Sequence, residues 1–303
     1  QAEELVGMKV LVPKDKSPGG GVRVLLISAQ DITINKDNYF EAPGINVMVY
    51  NDIYPEGHQG GISIIQNGTR IATNGDLRLE PTPGQWQPVP AVQETHILRD
   101  QNEIRVHCCF PDENRNGKGH NPIYYPDLEL DFNVRVMGEG DKFRIIVELD
   151  KPLPPEWVGK VGFNLELFPG LLFGKPWYLD NASGIFPTQP NGPMKKNKDG
   201  IWQAFPMATG KRLTIAPGVP EQTMKITSLK SDLQLLDGRF YHNNGWYVVR
   251  SVVPSGVTKN AVEWVFEPHC IPNYKHSPVI HVSQIGYLPS QPKAAFLELN
   301  KRE

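Results

Sequence analysis

The chain has 303 residues, 39% of them hydrophobic and 21% charged, which is ordinary for a globular protein with a sizeable core. A formal net charge of −2 offers no basic stripe for a nucleic-acid backbone or an anionic membrane. No apolar stretch approaches the roughly 20 residues of a membrane-spanning helix.

In chain order, the N-terminus QAEELVGMKV lacks the basic and apolar regions of a signal peptide, or is what remains once one is removed. Period-two alternation then predicts strands at 22–27, 45–53, 61–66 and 69–73. The last two are joined through Asn67-Gly68, a hairpin dipeptide. The segment 92–99 reads as a short helical turn, and EIRVHCCF as the next strand. In DLELDFNVRVMGEGDKFRIIVEL, one phase holds Leu128, Leu130, Phe132, Val134 and Val136. Beyond the GEGD turn, Phe143, Ile145, Val147 and Leu149 share another, so this segment is a hairpin with one buried face. A helical turn is expected at 155–159, and VGFNLELF resumes the alternation with Val161, Phe163, Leu165 and Leu167. KRLTIA, MKITSL, DLQLLD, GWYVVRSVV and AVEWVF complete the strands. The 28 glycines and 28 prolines are scattered between apolar runs, as turns in a strand-rich fold are.

More than ten closely spaced strands with almost no helix predict an all-β protein, with two antiparallel sheets packed face to face. The length suits an extended sandwich over residues 1–276 better than a seven-stranded immunoglobulin unit. The aperiodic EPHCIPNYKHSPV, over 267–279, reads as a linker.

The tail IHVSQIGYLPSQPKAAFLE resembles the opening strands of the immunoglobulin-like module that precedes the catalytic domain in family 9 glycoside hydrolases, the cellulase-type endoglucanases. Val282, Gln284, Ile285, Gly286, Tyr287, Pro289 and Lys293 fit that pattern, with an apolar strand after them. Ser283 stands where the family usually has Asn. The resemblance spans about 25 residues (279–303) and implies a truncated immunoglobulin-like module there. NDIYPEGHQGG, GFNLELFPGLLFGK and HNNGWYVVRS are similar to the β-rich region that some members carry ahead of the module. The family's Asp-Ala-Gly-Asp motif is absent from this sequence, so none of its catalytic residues transfers. The resemblance implies a secreted, periplasmic or cell-surface protein. Its partners would be a β-glucan-type polysaccharide or oligosaccharide and the C-terminal immunoglobulin-like and catalytic domains.

Sugar recognition needs exposed rings for the C–H face of a pyranose. Trp86, Trp177, Tyr178, Tyr54 and Trp202 stand in loop-like stretches and are the candidates, with Tyr50, Tyr124 and Tyr125 beside them. Trp157, Trp246 and Trp264 lie in or next to apolar runs and are expected in the core. Asp112, Asn114 and Asn116 in DENRNG match the first half of a calcium loop, but Ile123 replaces the bidentate Glu of an EF-hand. A looser calcium site closed by Asp127 or a carbonyl competes with a plain polar turn. No other cofactor is implied. Cys108, Cys109 and Cys270 set no disulfide framework, and the eight dispersed histidines lack zinc spacing. For catalysis within the sandwich, as in lyases or epimerases, the candidates are Arg239, Tyr241, His242 and Asn243, or Glu56 with His58. Both stretches also read as hairpin turns. Asn67-Gly-Thr69 and Asn181-Ala-Ser183 match glycosylation acceptors.

Overall fold

The computed structural model describes residues 31–51, 60–80, 88–120, 122–198, 200, 202–240, 245–271, 273–275 and 277–299, with the backbone of two short strands before them. Those two, β1 (Met8–Val10) and β2 (Leu26–Ser28), pair with each other. The chain then lays down β3 (Thr33–Ile34), β4 (Phe40–Ala42), β5 (Ile45–Val49), β6 (Ile62–Gln66) and β7 (Thr69–Leu79) as one antiparallel meander. A second sheet starts with β8 (Ala91–Leu98), β9 (Glu103–Phe110), β10 (Leu130–Glu139) and β11 (Lys142–Leu149). Strand β12 (Val161–Leu167) returns to the first sheet beside β7.

The helix α1 (Pro169–Leu172) leads to β13 (Pro176–Leu179) and β14 (Ala182–Ile185) at the edge of the second sheet. A separate hairpin follows, β15 (Met194–Lys196) with β16 (Trp202–Ala204). Strands β17 (Ala208–Gly210), β20 (Leu233–Asp237) and β21 (Tyr247–Val252) fill out the first sheet. Strands β18 (Arg212–Ile215), β19 (Met224–Ser228) and β22 (Val262–Pro268) fill out the second. Among the described residues each large sheet has nine strands. The last two strands, β23 (Val279–Val282) and β24 (Ala295–Glu298), pair with each other and, among the described residues, with no other strand.

The protein is therefore all-β, two large antiparallel sheets sharing one core. The alternation in β10, β11 and β12 places Phe132, Val134, Val136, Phe143, Ile145, Val147, Phe163 and Leu165 inside. Ring contacts cross between the sheets: Phe163 of β12 meets Trp264 of β22 edge-on, with centroids 5.0 Å apart. The Trp264 indole donates to Ser251 Oγ on β21 at 2.9 Å, so its one polar atom is paired inside the core. Trp157 is buried, as expected, while Trp246 is half-buried against Phe168.

Asn67 and Gly68 take φ of +47° and +74°, the two left-handed residues that a type I′ hairpin turn requires. The Asn67 side chain does more than turn the chain. Its Nδ2 donates to Glu221 O and His269 O, and its Oδ1 accepts from Ile271 N–H at 3.0 Å. The turn of the first sheet is thereby fastened to the second sheet and to the segment leaving β22. Asn102 does the same elsewhere, bonding Ile32 O, Gly138 O and Ile34 N–H from the turn between β8 and β9.

Three expectations are corrected. The segment 92–99 belongs to β8, paired along β9, with only a 3-10 turn after it at Arg99–Gln101. Its polar alternation is that of a strand with one face in water. The strand read as 69–73 continues to Leu79, carried past Asn74-Gly75 by a bulge. The strand read as 45–53 stops at Val49, where Tyr50 turns to φ +50°. The 3-10 turn at Pro155–Trp157 and the glycine turn at Gly140 (φ +64°) fall where expected. The strand expected at 22–27 lies mostly outside the described residues.

Asn67→Ala removes three buried side-chain bonds and puts a Cβ-only residue at positive φ. The expected loss is roughly 2–4 kcal/mol by urea unfolding. Asn38→Ala, at an exposed turn with similar φ, is the control and should lose less.

Candidate functional site

All seven residues of β12 are buried. Val161, Phe163, Leu165 and Leu167 face the core, so Gly162, Asn164 and Glu166 point to the opposite face of the sheet. In register with them stand Arg78, Asp76 and Thr73 on β7, and Arg250 on β21 faces Asn164. These side chains are buried as well: Glu166 is 3% exposed and Arg78 4%. The centre of the first sheet thus has an apolar face and a charged one, neither open to water.

A bulge shapes this face. Asn164 pairs with Asp76 and Glu166 with Thr73, so Asn74 and Gly75 together oppose the single residue Leu165. Asn74 takes φ +52°, and a Cβ on Gly75 would lie 2.8 Å from Ile62 Cβ. The bulge aims Asn74 Nδ2 at Glu166 Oε2, 2.5 Å away, while Asn74 Oδ1 accepts from Gly60 N–H. Bulges that re-aim one side chain in this way are common beside functional sites.

Around this point the polar groups are linked. Tyr50 donates its hydroxyl to Asp76 Oδ1, which also accepts from Leu77 N–H at 2.8 Å. Arg250 donates to Asn164 Oδ1 at 2.7 Å and approaches Glu80 Oε2 at 3.3 Å. Asn164 in turn donates to Glu80 Oε1 at 2.9 Å. Arg70 donates to Ser63 Oγ and Thr73 Oγ1. Among the described residues the buried Nε of Arg78 has no hydrogen-bond partner.

Burial dominates the electrostatics. It pushes the Asp76 carboxyl up to about 6, against the pull of the Arg78 charge and of the Tyr50 hydrogen bond. It raises Glu166 too, opposed by Arg78 and Asn74 and helped by the Glu80 charge. Tyr50 is held well above its ordinary range by burial and then by the Asp76 charge. The arrangement places Asp76, a carboxyl pushed up to about 6, and Glu166, raised in the same direction, beside arginine side chains. That is the equipment for holding hydroxyl groups or moving a proton.

The residues singled out from sequence are dispersed. Trp177 is buried at 5% exposure on β13, in register with Ile215 and Gly184. A Cβ on Gly184 would sit 2.4 Å from its ring, so the glycine makes room for the indole and the ring face is covered. Trp177 packs in the core. Its neighbour Tyr178 is 50% exposed and Trp202, on β16, is 57% exposed. Lys196 Nζ stands 5.2 Å from the Trp202 ring centre. Tyr124 is exposed, Tyr125 donates its hydroxyl to Val89 O, and Tyr50 belongs to the charged face. Trp86, Tyr54, Glu56, His58, Tyr241, His242 and Asn243 lie outside the described residues.

In the DENRNG turn, Asp112 Oδ1 accepts from Asn114 N–H at 3.0 Å and Asn116 Oδ1 from Tyr125 N–H at 3.2 Å. Arg115 Nε lies 3.4 Å from Asp112 Oδ2. The side-chain oxygens of Asp112 and Asn116 hold the turn together, and among the described residues no three His, Cys, Asp or Glu converge as metal ligands. Arg239 is committed to structure: it pairs with Asp237 and donates to the carbonyls of Pro187, Thr188 and Gln189. The three cysteines are free thiols, and burial raises Cys108 most clearly.

Sequence reasoning missed the charged face because Asn164 and Glu166 alternate with apolar residues as solvent-facing positions do. One signal was present, the Asn-Gly pair inside an otherwise regular strand, TRIATNGDLRL. Compared with known proteins, the chain matches no family model and no curated protein.

The Asp76 shift has a sign that can be measured. Its folded-state pKa of about 6 exceeds the ordinary 3.8, so the folded state binds the proton more tightly. The associated stability is complete below about pH 4 and is lost as pH rises through about 6. Groups acting on Asp76 are Arg78 on β7, the Tyr50 hydroxyl after β5 and the Leu77 backbone N–H, while Cys108 on β9 feels the Asp76 charge. Asp76→Asn keeps the acceptor for Tyr50 and Leu77 and should remove a pH-dependent loss of roughly 3 kcal/mol between pH 4 and 7. Urea unfolding across that range checks it; an unchanged slope contradicts the shift.

Proposed function

We propose that this chain is the N-terminal ancillary region of a secreted or periplasmic family 9-type glycoside hydrolase. In this reading the sandwich precedes an immunoglobulin-like module that begins with β23 and β24. The observation that carries it is the state of that hairpin. The two strands are in register from Val279 opposite Glu298 to Val282 opposite Ala295, yet all eight side chains are exposed. Ile280 is 69% exposed, Phe296 72% and Ile285, in the connection, 99%. A lone two-stranded hairpin is marginal in water, and one with this much apolar surface on it is half of a core. The Gly-Tyr-x-Pro connection keeps its own order: Gly286 has φ +82° and the Tyr287 hydroxyl donates to Ala294 O. The resemblance of the tail to the family's module supplies the missing half.

The role that follows for the sandwich is to bind or present a β-glucan-type chain, or to support the catalytic domain. Tyr178 and Trp202 supply the exposed rings that the first of these needs. The two roles separate in affinity electrophoresis against β-glucan, xyloglucan, xylan and mannan. If the rings carry sugar, one glycan retards the protein, and Trp202→Ala or Tyr178→Ala weakens that retardation tenfold or more without unfolding. With no retardation by any glycan, supporting the catalytic domain remains the role, and the binding role is excluded.

A further inference from the structure

We propose that the charged face of the first sheet is a binding subsite for the vicinal hydroxyls of a neutral sugar, with Arg78 as donor and Asp76 and Glu166 as acceptors. This rests on the carbohydrate-binding role above and moves its centre away from the exposed rings. The central observation is Arg78, a guanidinium 4% exposed whose Nε has no hydrogen-bond partner among the described residues. Buried polar groups are nearly always paired, because an unpaired donor forfeits its hydration for nothing. Arg250 nearby obeys that rule, holding Asn164 Oδ1 and Lys160 O. The Nε of Arg78 lacks an acceptor among the described residues, and a ligand oxygen would supply one.

The surrounding chemistry selects the kind of oxygen. Asp76 and Glu166 both act electrostatically on Arg78, and Glu80 stands nearby on the same strand end. An anionic ligand would meet these carboxylates at neutral pH. A hydroxyl pair is neutral, accepts from the guanidinium and donates to a carboxylate at the same time. The bulge at Asn74-Gly75 adds an amide that already engages Glu166, so the acceptor is oriented before any ligand arrives. At the margin of this face the cover is thinner: Tyr50, Arg70 and Glu80 are half-buried, and Asn51 and Gly60 are exposed.

Calorimetry of the whole chain with cellotetraose as the neutral probe and trigalacturonate as the anionic one tests this. Cellotetraose should bind, with affinity reduced tenfold or more by Arg78→Met and by Glu166→Gln. Arg78→Lys, which keeps the charge but not the planar fork, should lose a similar factor, with near-ultraviolet circular dichroism and Tm reporting that the fold survives. Binding of cellotetraose that none of the three substitutions alters overturns the subsite and leaves the carbohydrate-binding role standing. Failure of the wild type to bind either probe removes that role itself and the subsite with it. A preference for trigalacturonate overturns the neutral-sugar assignment.

Discussion

The constraint on which the structure turns is the burial of β12 on both faces. One face is apolar and packs against the second sheet through Phe163 and Trp264. The other carries Asn164 and Glu166, which cannot be hidden from water without partners. Those partners come from Asn74 on β7, Arg250 on β21 and Glu80 just past β7. They also fix neighbouring strands. A one-residue slip of β7 along β12 would place Arg78 in the core and Leu77 among the charges, so register is enforced from both sides of the sheet.

The bulge follows from the same constraint. An unbroken β7 would carry its alternation straight through residues 73–76. Doubling Asn74 and Gly75 against Leu165 lets Asn74 engage Glu166 while Ala72 and Leu77 both remain in the core. Gly75 is required there, since a methyl group would meet Ile62. At the sheet ends, Asn67 and Asn102 use short amide side chains to pair backbone groups contributed by both sheets. Polar groups therefore carry much of the specificity in a sandwich whose bulk stabilisation is apolar.

The all-β architecture was legible because alternation is a local property. Phe132, Val134 and Val136 announce a strand with one buried face whatever lies across from them. Asn67-Gly68 was legible for a similar reason, since positive φ at two successive positions is a demand that few residues meet. The charged face was not. Whether Glu166 faces water or a second layer is decided by segments remote in sequence, and the residue pattern is the same in both cases. Trp177 misled for the converse reason. Its Gly, Pro and Asn neighbours suggest a loop, but they are the turns at either end of β13, and Gly184 is the space its indole fills. The segment 92–99 misled because a strand with a fully solvated face keeps few apolar residues.

The terminal hairpin bears most directly on what the chain is for. Every side chain of these two paired strands is exposed, and among the described residues the sandwich does not cover them. Amide hydrogen exchange, resolved by residue, measures this. In the chain as it stands, the amides of Val279–Val282 and Ala295–Glu298 should exchange nearly as fast as unstructured peptide, while those of β10 and β11 are protected by many orders of magnitude. Joined to the remaining strands of a family 9 immunoglobulin-like module, the same amides should become protected with the sandwich unchanged. Protection of the hairpin in the chain alone, at the level of β10 and β11, would contradict the account and assign those strands to the sandwich.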